Sequence, residues 1–207
     1  MVSGCALTVV PELLAEFHDL YPGVDIALCE AGSDRLVERL QTGQLDLALI
    51  GSAGDALPGL ETTLVVDDAI VAAVRSDDPL TARKTITVDV LRDQPLISLP
   101  HGTGLRAALD IGCANAGFQP RIVFEASALA MVAQLAGMGL GVAILPASMA
   151  PLHQPALHVL QIGRPRLRSR LEIAWDPAAI TNPAARVLIE HTRAFMRRLA
   201  ANRAPAA

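Results

Sequence analysis

The stretch LAGMGLGVAILP, residues 135–146, places three glycines between an apolar helix-forming segment and an apolar strand-forming segment. A dinucleotide-binding loop has the reverse order, because its glycines follow a strand and open a helix whose positive end faces the pyrophosphate. Here the glycines follow the carboxyl end of a helix, where partial negative charge disfavours phosphate. We expect Gly139 or Gly137 to take the left-handed conformation there and Gly141 to permit close packing, with no nucleotide bound.

The alternation of helix and strand extends outward from this stretch in both directions. Apolar residues recur at helical spacing in some segments and form short apolar or alternating runs in others, separated by turn residues. The predicted elements, in chain order, are a helix over 7–20, a strand over 24–29, a helix with Ser33 as N-cap, strands over 45–50 and 64–75, a short helix over 87–92, a strand over 95–99, a helix with Thr103 as N-cap, a strand over 121–125, a helix over 128–136, a strand over 142–145, a loop over 146–166, a strand over 169–175 and a terminal helix opened by Asn182 and Pro183.

This order predicts two α/β units joined by long strand-like segments rather than by a flexible linker. The only segments long enough to connect the units are 64–75 and 169–175. Two connections indicate that the second unit is inserted into the first and that the terminal helix returns to the first. We therefore expect a discontinuous lobe I at 1–71 and 173–207, and an inserted lobe II at 72–172.

Composition excludes several classes of protein. The formal net charge is −4 and the arginines are scattered, whereas a duplex-binding chain needs a cationic face. No apolar run approaches the roughly 18 residues of a membrane span, and the amino terminus lacks the basic region of a secretory signal. We expect a cytoplasmic protein that binds no membrane and does not bind DNA through this chain.

The three cysteines, Cys5, Cys29 and Cys113, are far apart and form no C-x-x-C pair. This spacing argues against a zinc site and against a disulfide framework, and it favours a reducing compartment. We interpret all three as small buried apolar residues and expect neither a metal nor a cofactor. Redox sensing by Cys5 would require a resolving partner in lobe II, where Cys113 lies on a predicted core face.

Five short motifs occur in an order that resembles the effector-binding domain of LysR-type transcriptional regulators. The resemblance covers nearly the whole chain, and although each motif is weak alone, the ordered set is fairly specific. The motifs are FHDLYPGVDIAL (17–28), GQLDLALIGS (43–52), DDPL (77–80), AGFQP (116–120) and LAGMGLGVAILP (135–146).

The resemblance implies the type 2 periplasmic-binding-protein fold, in which two α/β lobes surround a cleft. It implies a non-enzymatic regulatory domain that senses a small effector and signals by rearrangement of its lobes or of a dimer. Family members associate through these domains, so we expect a homo-oligomer, a dimer or a tetramer. Their winged helix-turn-helix has no counterpart in these 207 residues, so DNA would be bound only through a segment outside this chain.

Ligands of such folds lie beyond the carboxyl ends of strands, where helix N-termini offer free N–H groups to an anion. We therefore expect a small carboxylate, held by neutral donors at the loops and helix openings that follow strands. The family's effector contacts fall at matching loops. The candidate effector-binding residues are Ser3, Gly4, Ser33, Ser52, His101, Gly102, Thr103, Gly104 and Ser127.

Each of these hydroxyls can equally serve only as a local helix cap. His101, beside two glycines, could lend a donor whose charge changes near neutrality, or it could be a surface histidine. Glu125 would repel an anion if it pointed inward, so we expect it to turn away or to meet a ligand amine.

Two other functions compete with effector sensing. The same fold serves solute receptors of transporters, which would require a secretion signal or a lipid-anchored cysteine. An enzyme would require a motif such as H-E-x-x-H, G-x-x-x-x-G-K-S/T or G-x-S-x-G, and the sequence contains none of these. The sequence HGTG (101–104) is similar to an oxyanion loop, but no nucleophile follows at a strand–helix turn.

Overall fold

The computed structural model describes residues 6–54, 57–149, 156–180 and 182–203. The helices of the described residues are α1 Ala6–Leu20, α2 Ser33–Gln41, α3 Gly104–Asn115, α4 Leu129–Gly137 and α5 Pro183–Arg203. The strands are β1 Ala48–Ser52, β2 Glu61–Arg75, β3 Thr85–Ile86, β4 Leu96–Ser98, β5 Ile122–Glu125, β6 Val142–Pro146, β7 Leu157–Ile162 and β8 Arg168–Trp175. Short 3-10 helices lie at Pro79–Ala82 and Val88–Leu91.

The chain divides into two compact α/β units. Unit 1 contains the described parts of Met1–Ile50, Ala56–Val66 and Leu171–Ala207, and unit 2 contains those of Gly51–Asp55 and Asp67–Arg170. Strand β2 begins in unit 1 and ends in unit 2, whereas β8 begins in unit 2 and ends in unit 1.

In unit 1, β8 lies between β1 and β2, and helices cover both faces of these strands. On one face, Leu13 of α1 and Ile189 of α5 pack with Ile173 of β8. On the other face, Leu40 of α2 packs with Ala174 of β8. Because neighbouring residues of a strand point to opposite faces, α1 and α5 share one face and α2 covers the other.

In unit 2, β4 runs parallel to both β5 and β6, while β2 runs antiparallel to β6 and β7. Leu96 packs with α3 residues on one face of the sheet, and Ile97 packs with α4 residues on the other. The unit is therefore a three-layer α/β structure in which the carboxyl ends of β4, β5 and β6 lie along one edge.

The glycines of the 135–146 stretch act as predicted. Gly139, two residues after the end of α4, has φ +77°, and Gly141, immediately before β6, has φ +155°. A Cβ on Gly141 would lie 2.4 Å from the carbonyl oxygen of Pro95, the same oxygen that accepts a hydrogen bond from the Val142 N–H at 2.8 Å. Only glycine permits this approach of β6 to β4.

The helix predicted over 7–20 and the N-caps predicted for α3 and α5 are confirmed. Thr103 is the N-cap of α3, and the Asn182 side chain accepts a hydrogen bond from the Ala184 N–H at 3.0 Å in the first turn of α5. The short helix predicted over 87–92 is a single 3-10 turn, Val88–Leu91.

Two predicted elements are wrong. No strand forms over 24–29, because an alternating pattern becomes a strand only beside a neighbour that completes its hydrogen bonds. Conversely, the predicted loop over 146–166 contains β7, which pairs with β2 and β3. The prolines and histidines around β7 are typical of a loop, and they outweighed its short apolar run in the prediction.

Cys29 is exposed, contrary to prediction, whereas Cys113 is buried as expected. Cys29 belongs to the segment that failed to form a strand, and its Sγ accepts a hydrogen bond from Arg39 Nη1 at 3.2 Å. Cys5 lies outside the described residues. Of the helices that the structure describes, none is both long enough and apolar enough to cross a membrane.

Candidate functional site

The candidate site lies in unit 2, where β4 ends and α3 begins. Residues 99–103 connect the two elements, and Gly102 turns the chain with φ +82°. The Thr103 hydroxyl donates to the carbonyl oxygen of Pro100 at 2.9 Å and accepts from the Arg106 N–H at 3.4 Å. Thr103 thereby fixes both the loop and the first turn of α3, whose foremost N–H groups have no intrahelical partner.

Gly104 brings the start of α3 against the end of β1. A Cβ on Gly104 would lie 2.3 Å from the backbone nitrogen of Ser52 and 2.4 Å from the carbonyl carbon of Gly51. Ser52 is buried and is the last residue of β1. The prediction that Ser52 lies in a loop after β1 is therefore wrong, because the strand extends two residues further than the apolar run 45–50.

Ser98 supplies a buried hydroxyl beside this turn. It is the last residue of β4 and points to the same face as Leu96, which packs with Leu105 and Leu109 of α3. Its side chain is fully buried, and its Oγ has no hydrogen-bond partner among the described residues. Because a buried, unpaired hydroxyl costs about 1–3 kcal/mol, this one is expected to meet a water or a ligand.

Arg106 places a cation in the first turn of α3. Its side chain is only 7% exposed, and its Nε donates to Asp110 Oδ1 at 2.9 Å. Its Nη1 donates to Glu125 Oε1 at 2.5 Å. Burial opposes the charged form, but the hydrogen bonds from Arg106 to Asp110 and Glu125 outweigh it and raise the pKa of Arg106 above its ordinary value.

His101 completes this cluster at its exposed side. Its Nε2 lies 2.8 Å from Arg106 Nη2, and its Nδ1 lies 3.5 Å from Asp110 Oδ2. Since a guanidinium only donates, Nε2 must accept, which places the ring proton on Nδ1, facing Asp110. Glu125, expected to turn away from an anion or to meet a ligand amine, has its charge compensated by Arg106.

The structure brings five of the nine candidate residues together in unit 2. These are Ser52, His101, Gly102, Thr103 and Gly104. Their role in binding stays a prediction.

Of the other four candidates, two lie within the described residues and two do not. Ser33 belongs to unit 1 and is the first residue of α2 rather than its N-cap, because Gly32 occupies the cap position. Ser127 is exposed and precedes Ala128, the N-cap of α4, so its predicted place at the helix opening is wrong by one residue. Ser3 and Gly4 lie outside the described residues.

The sequence analysis missed Ser98 and Arg106. Ser98 is the one polar residue in the run PLISL, at the carboxyl end of a buried strand, and this position was the available signal. Arg106 opens a helix whose positive end repels a cation, and such a placement indicates nearby carboxylates. Asp110 follows one helical turn later, whereas Glu125 could be found only from the pairing of β4 with β5.

Among the residues that the structure describes, no group of three or more His, Cys, Asp or Glu side chains could hold a metal ion. The site instead offers hydroxyl groups and helix N–H groups. Such donors can hold a small polar molecule, and they favour an anion at the positive end of α3.

Comparison with known proteins gives one family. The model of the LysR substrate binding domain matches residues 1–197. The chain is 30% identical over 178 residues to the uncharacterized HTH-type transcriptional regulator YybE of Bacillus subtilis (strain 168), covering 86% of this chain and 60% of that protein. It is also 30% identical to the HTH-type transcriptional regulator TtuA of Agrobacterium vitis, over 91% of this chain and 64% of TtuA.

Solved structures show the same fold. The effector binding domain of QuiR in complex with shikimate superposes with a TM-score of 0.76 at 21% identity, covering 95% of this chain and 93% of that one. The C-terminal domain of a probable LysR family transcriptional regulator from Rhodococcus sp. RHA1 gives a TM-score of 0.71 at 24% identity, over 90% of this chain and 92% of that one. The fold is therefore the type 2 periplasmic-binding-protein fold of such domains.

Proposed function

The chain belongs to the LysR substrate-binding domain family, and from this premise we propose that it is the effector-sensing regulatory part of a transcriptional regulator. The chain spans 60% and 64% of the length of the regulators YybE and TtuA. DNA binding would then belong to a helix-turn-helix elsewhere in a longer protein. The proposed effector-binding site is the turn between β4 and α3 in unit 2.

The unpaired Ser98 hydroxyl is the observation that carries this proposal. It is fully buried at the end of β4, on the face that α3 covers, and lacks a partner within the described residues. A ligand oxygen or a ligand-associated water at the first turn of α3 would satisfy it. The first N–H groups of α3 would supply further donors, and the Thr103 hydroxyl, which donates to the Pro100 carbonyl oxygen, would hold the loop that presents them.

We propose a small carboxylate as the effector. The positive end of α3 favours negative charge by about 0.3–1 kcal/mol, more when the group is buried. Arg106 is held by Asp110 and Glu125, so we expect hydroxyl and N–H groups rather than a free guanidinium to receive the ligand. The QuiR effector binding domain is in complex with shikimate, a carboxylate rich in hydroxyl groups, and this likeness supports the same class here.

The remaining expectations follow from the family. We propose a cytoplasmic homo-oligomer, a dimer or a tetramer, without enzymatic activity of its own. The effector would act by favouring one arrangement of this oligomer, and a shift from 1:99 to 99:1 requires about 5.5 kcal/mol of differential affinity. The alternative of a transporter receptor is not favoured, since the relatives YybE and TtuA are transcriptional regulators.

Thermal unfolding with a panel of small carboxylates that includes shikimate tests this proposal. A ligand at 100 times its Kd stabilises the folded chain by about 2.7 kcal/mol, which raises Tm by several degrees. Ser98→Ala and Thr103→Ala should reduce this ligand-dependent rise, whereas Thr42→Ala, at the far end of α2 in unit 1, should not. Ser33→Ala tests whether unit 1 also contributes.

Equal ligand-dependent rises in the wild type, Ser98→Ala and Thr103→Ala would show that the site lies elsewhere. Consumption of the carboxylate in the presence of the protein, measured by chromatography, would overturn the non-enzymatic reading.

A further inference from the structure

Arg170 is a cation of unit 2 that the proposed function does not use. It lies near the start of β8, and its side chain is 38% exposed. Its Nε is buried and donates no hydrogen bond to any residue that the structure describes. Since buried donors of charged groups usually have an acceptor, the surrounding residues leave this guanidinium poorly satisfied.

The carboxylate of Asp67 does not satisfy Arg170, because Arg168 is bound to it more closely. Arg168 Nε donates to Asp67 Oδ1 at 2.6 Å, and its Nη2 donates to the Asp67 carbonyl oxygen at 2.9 Å. Arg170 Nε lies 3.4 Å from Asp67 Oδ2 without a hydrogen bond. Two arginines thus share one carboxylate, and Arg170 is the one with donors to spare.

The neighbouring carboxylates of the same two strands have other partners. Asp68 Oδ2 accepts a hydrogen bond from the Ser148 N–H at 3.0 Å, and Glu172 Oε1 accepts one from the Thr62 hydroxyl at 3.3 Å. Within the part of the chain that the structure describes, neither Asp68 nor Glu172 forms an ion pair with Arg170. The charge of Arg170 is therefore shared only with Asp67.

The Arg170 guanidinium lies against the loop that follows β1, and the start of α3 lies against the same loop. A Cβ on Gly54 would lie 2.9 Å from Arg170 Nη1 and 3.3 Å from its Cζ. Gly54 is exposed, so solvent and small molecules can reach the guanidinium there. Ser52, two residues earlier in this segment, is the residue whose backbone nitrogen Gly104 approaches.

These contacts limit the distance between the cation and the start of α3. Consecutive Cα atoms are about 3.8 Å apart, so Arg170 Nη1 lies no more than about 14 Å from the Ser52 nitrogen. A short carbon chain with a carboxylate at each end, together with a hydrogen bond of about 3 Å at each end, can span such a distance. A single small molecule can therefore reach both the first turn of α3 and Arg170.

We propose that Arg170 binds a second anionic group of the effector, and that the effector is a dicarboxylate. This inference rests on the proposed function, in which one carboxylate meets Ser98 and the first N–H groups of α3. The Nη groups of Arg170 receive the other carboxylate, because the planar fork of a guanidinium matches the two oxygens of a carboxylate. Arg170 thereby distinguishes a dicarboxylate from a monocarboxylate of the same length.

Isothermal titration calorimetry with succinate, glutarate and adipate, each compared with its own monoamide, tests this inference. A monoamide keeps the length of the diacid but lacks its second charge. At least one dicarboxylate should bind the wild type about tenfold or more tightly than its monoamide, since hydrogen bonds between charged groups are stronger than those to a neutral amide. Added salt should reduce this advantage.

Substitutions of Arg170 assign the advantage to this residue. Arg170→Gln should abolish the advantage of the dicarboxylate, whereas the affinity for the monoamide should change far less. Arg170→Lys should retain only part of the advantage, because an ammonium group lacks the fork. Arg121→Gln removes the same charge from an exposed residue of unit 2 just before β5, and it should retain the full advantage.

Persistence of the full advantage in Arg170→Gln would overturn the inference, because another cation would then bind the second carboxylate. If Arg170→Gln does not fold, Arg170→Lys decides, and an undiminished advantage in that variant overturns the inference. Equal affinities of the wild type for dicarboxylates and monoamides would also overturn it. The proposed function would still stand in that case if Ser98→Ala weakened both. Failure of every carboxylate to bind, shikimate included, would overturn the proposed function together with this inference.

Discussion

Gly104 approaches Ser52 so closely that a Cβ on Gly104 would lie 2.3 Å from the Ser52 backbone nitrogen. Backbone atoms cannot yield as a flexible side chain can, so Gly104→Ala must displace the start of α3 or the end of β1. We expect Gly104→Ala to lower the free energy of unfolding by about 1–3 kcal/mol, measured by urea titration. Gly23→Ala is the matched control, because its Cβ meets nothing within 4 Å and its φ lies outside the left-handed region. Equal stability of Gly104→Ala and the wild type would contradict the close approach.

Arg106 compensates two carboxylates from a nearly buried position. Arg106→Met removes this cation and leaves Asp110 and Glu125 without their shared partner. We expect a loss of about 1–3 kcal/mol in the free energy of unfolding. Glu125→Gln should cost less, about 0.2–1 kcal/mol, because Glu125 is 44% exposed and solvent screens its charge.

The double variant Arg106→Met with Glu125→Gln isolates the coupling of this pair. We expect the two losses not to add, because Glu125→Gln also relieves the carboxylate that Arg106→Met leaves unpaired. Asp77→Asn, which breaks the exposed pair with Arg75, should stay within error of the wild type. Strict additivity of the two losses would show that Arg106 and Glu125 do not interact in solution.

Substitution by alanine should have opposite effects on stability at Gly137 and at Gly141, although the two glycines are only four residues apart. Gly141→Ala places a Cβ 2.4 Å from the Pro95 carbonyl oxygen, so we expect a loss of at least about 1–3 kcal/mol. Gly137→Ala lies within α4, where its Cβ makes only an ordinary 3.9 Å contact with Leu157, and alanine should stabilise the helix by about 0.5–1 kcal/mol. Thermal unfolding of both variants gives the comparison, and a fall in Tm for both would refute the helical assignment of Gly137.

Cys113 should make the stability of the chain fall at alkaline pH. Burial, aided by the charge of Asp110, raises the pKa of the Cys113 thiol to about 11 from its ordinary value of 9.0. Above pH 9 the unfolded chain loses this proton first, so the free energy of unfolding should be unaffected below that pH and should fall between pH 9 and 11 by up to about 3 kcal/mol.

Urea titrations across this range measure the effect. Cys113→Ala should be less stable at pH 7 because of the cavity it leaves, but its stability should decline less between pH 9 and 11. Cys29→Ala should keep the decline of the wild type, since Cys29 is exposed. Parallel pH profiles for the wild type and Cys113→Ala would mean that the thiol does not control the decline.

Local signals predicted those parts of the fold that depend on neighbouring residues in the sequence. The caps at Thr103 and Asn182 and the left-handed Gly139 each depend on a few adjacent residues, and all three are confirmed. Segment 24–29 was predicted wrongly because a strand needs a partner, and alternation does not reveal whether one is present. Strand β7 was missed because the prolines and histidines around it led to the prediction of a loop over 146–166, although its own six residues form a short apolar run.

The candidate site was predictable only in outline. The loop 101–104 could be identified because hydroxyl and glycine residues follow a strand, and the structure joins it to Ser52 through the close approach of Gly104. The pairing of Arg106 with Glu125 depends on the register of β4 beside β5, which no local pattern encodes. Ser33 was placed as a cap because serine favours that position, but Gly32 takes it at little cost.

The interrupted course of unit 1 has a consequence for synthesis of the chain on the ribosome. All described strands that belong wholly to unit 2 have emerged before residue 171, so that unit can fold while translation continues. The apolar side of α1 cannot be buried until Ile173 and α5 have been synthesised. At a translation rate of about 5–20 residues per second this delay is roughly ten seconds or more. During this time Leu13 and Phe17 are accessible to a chaperone.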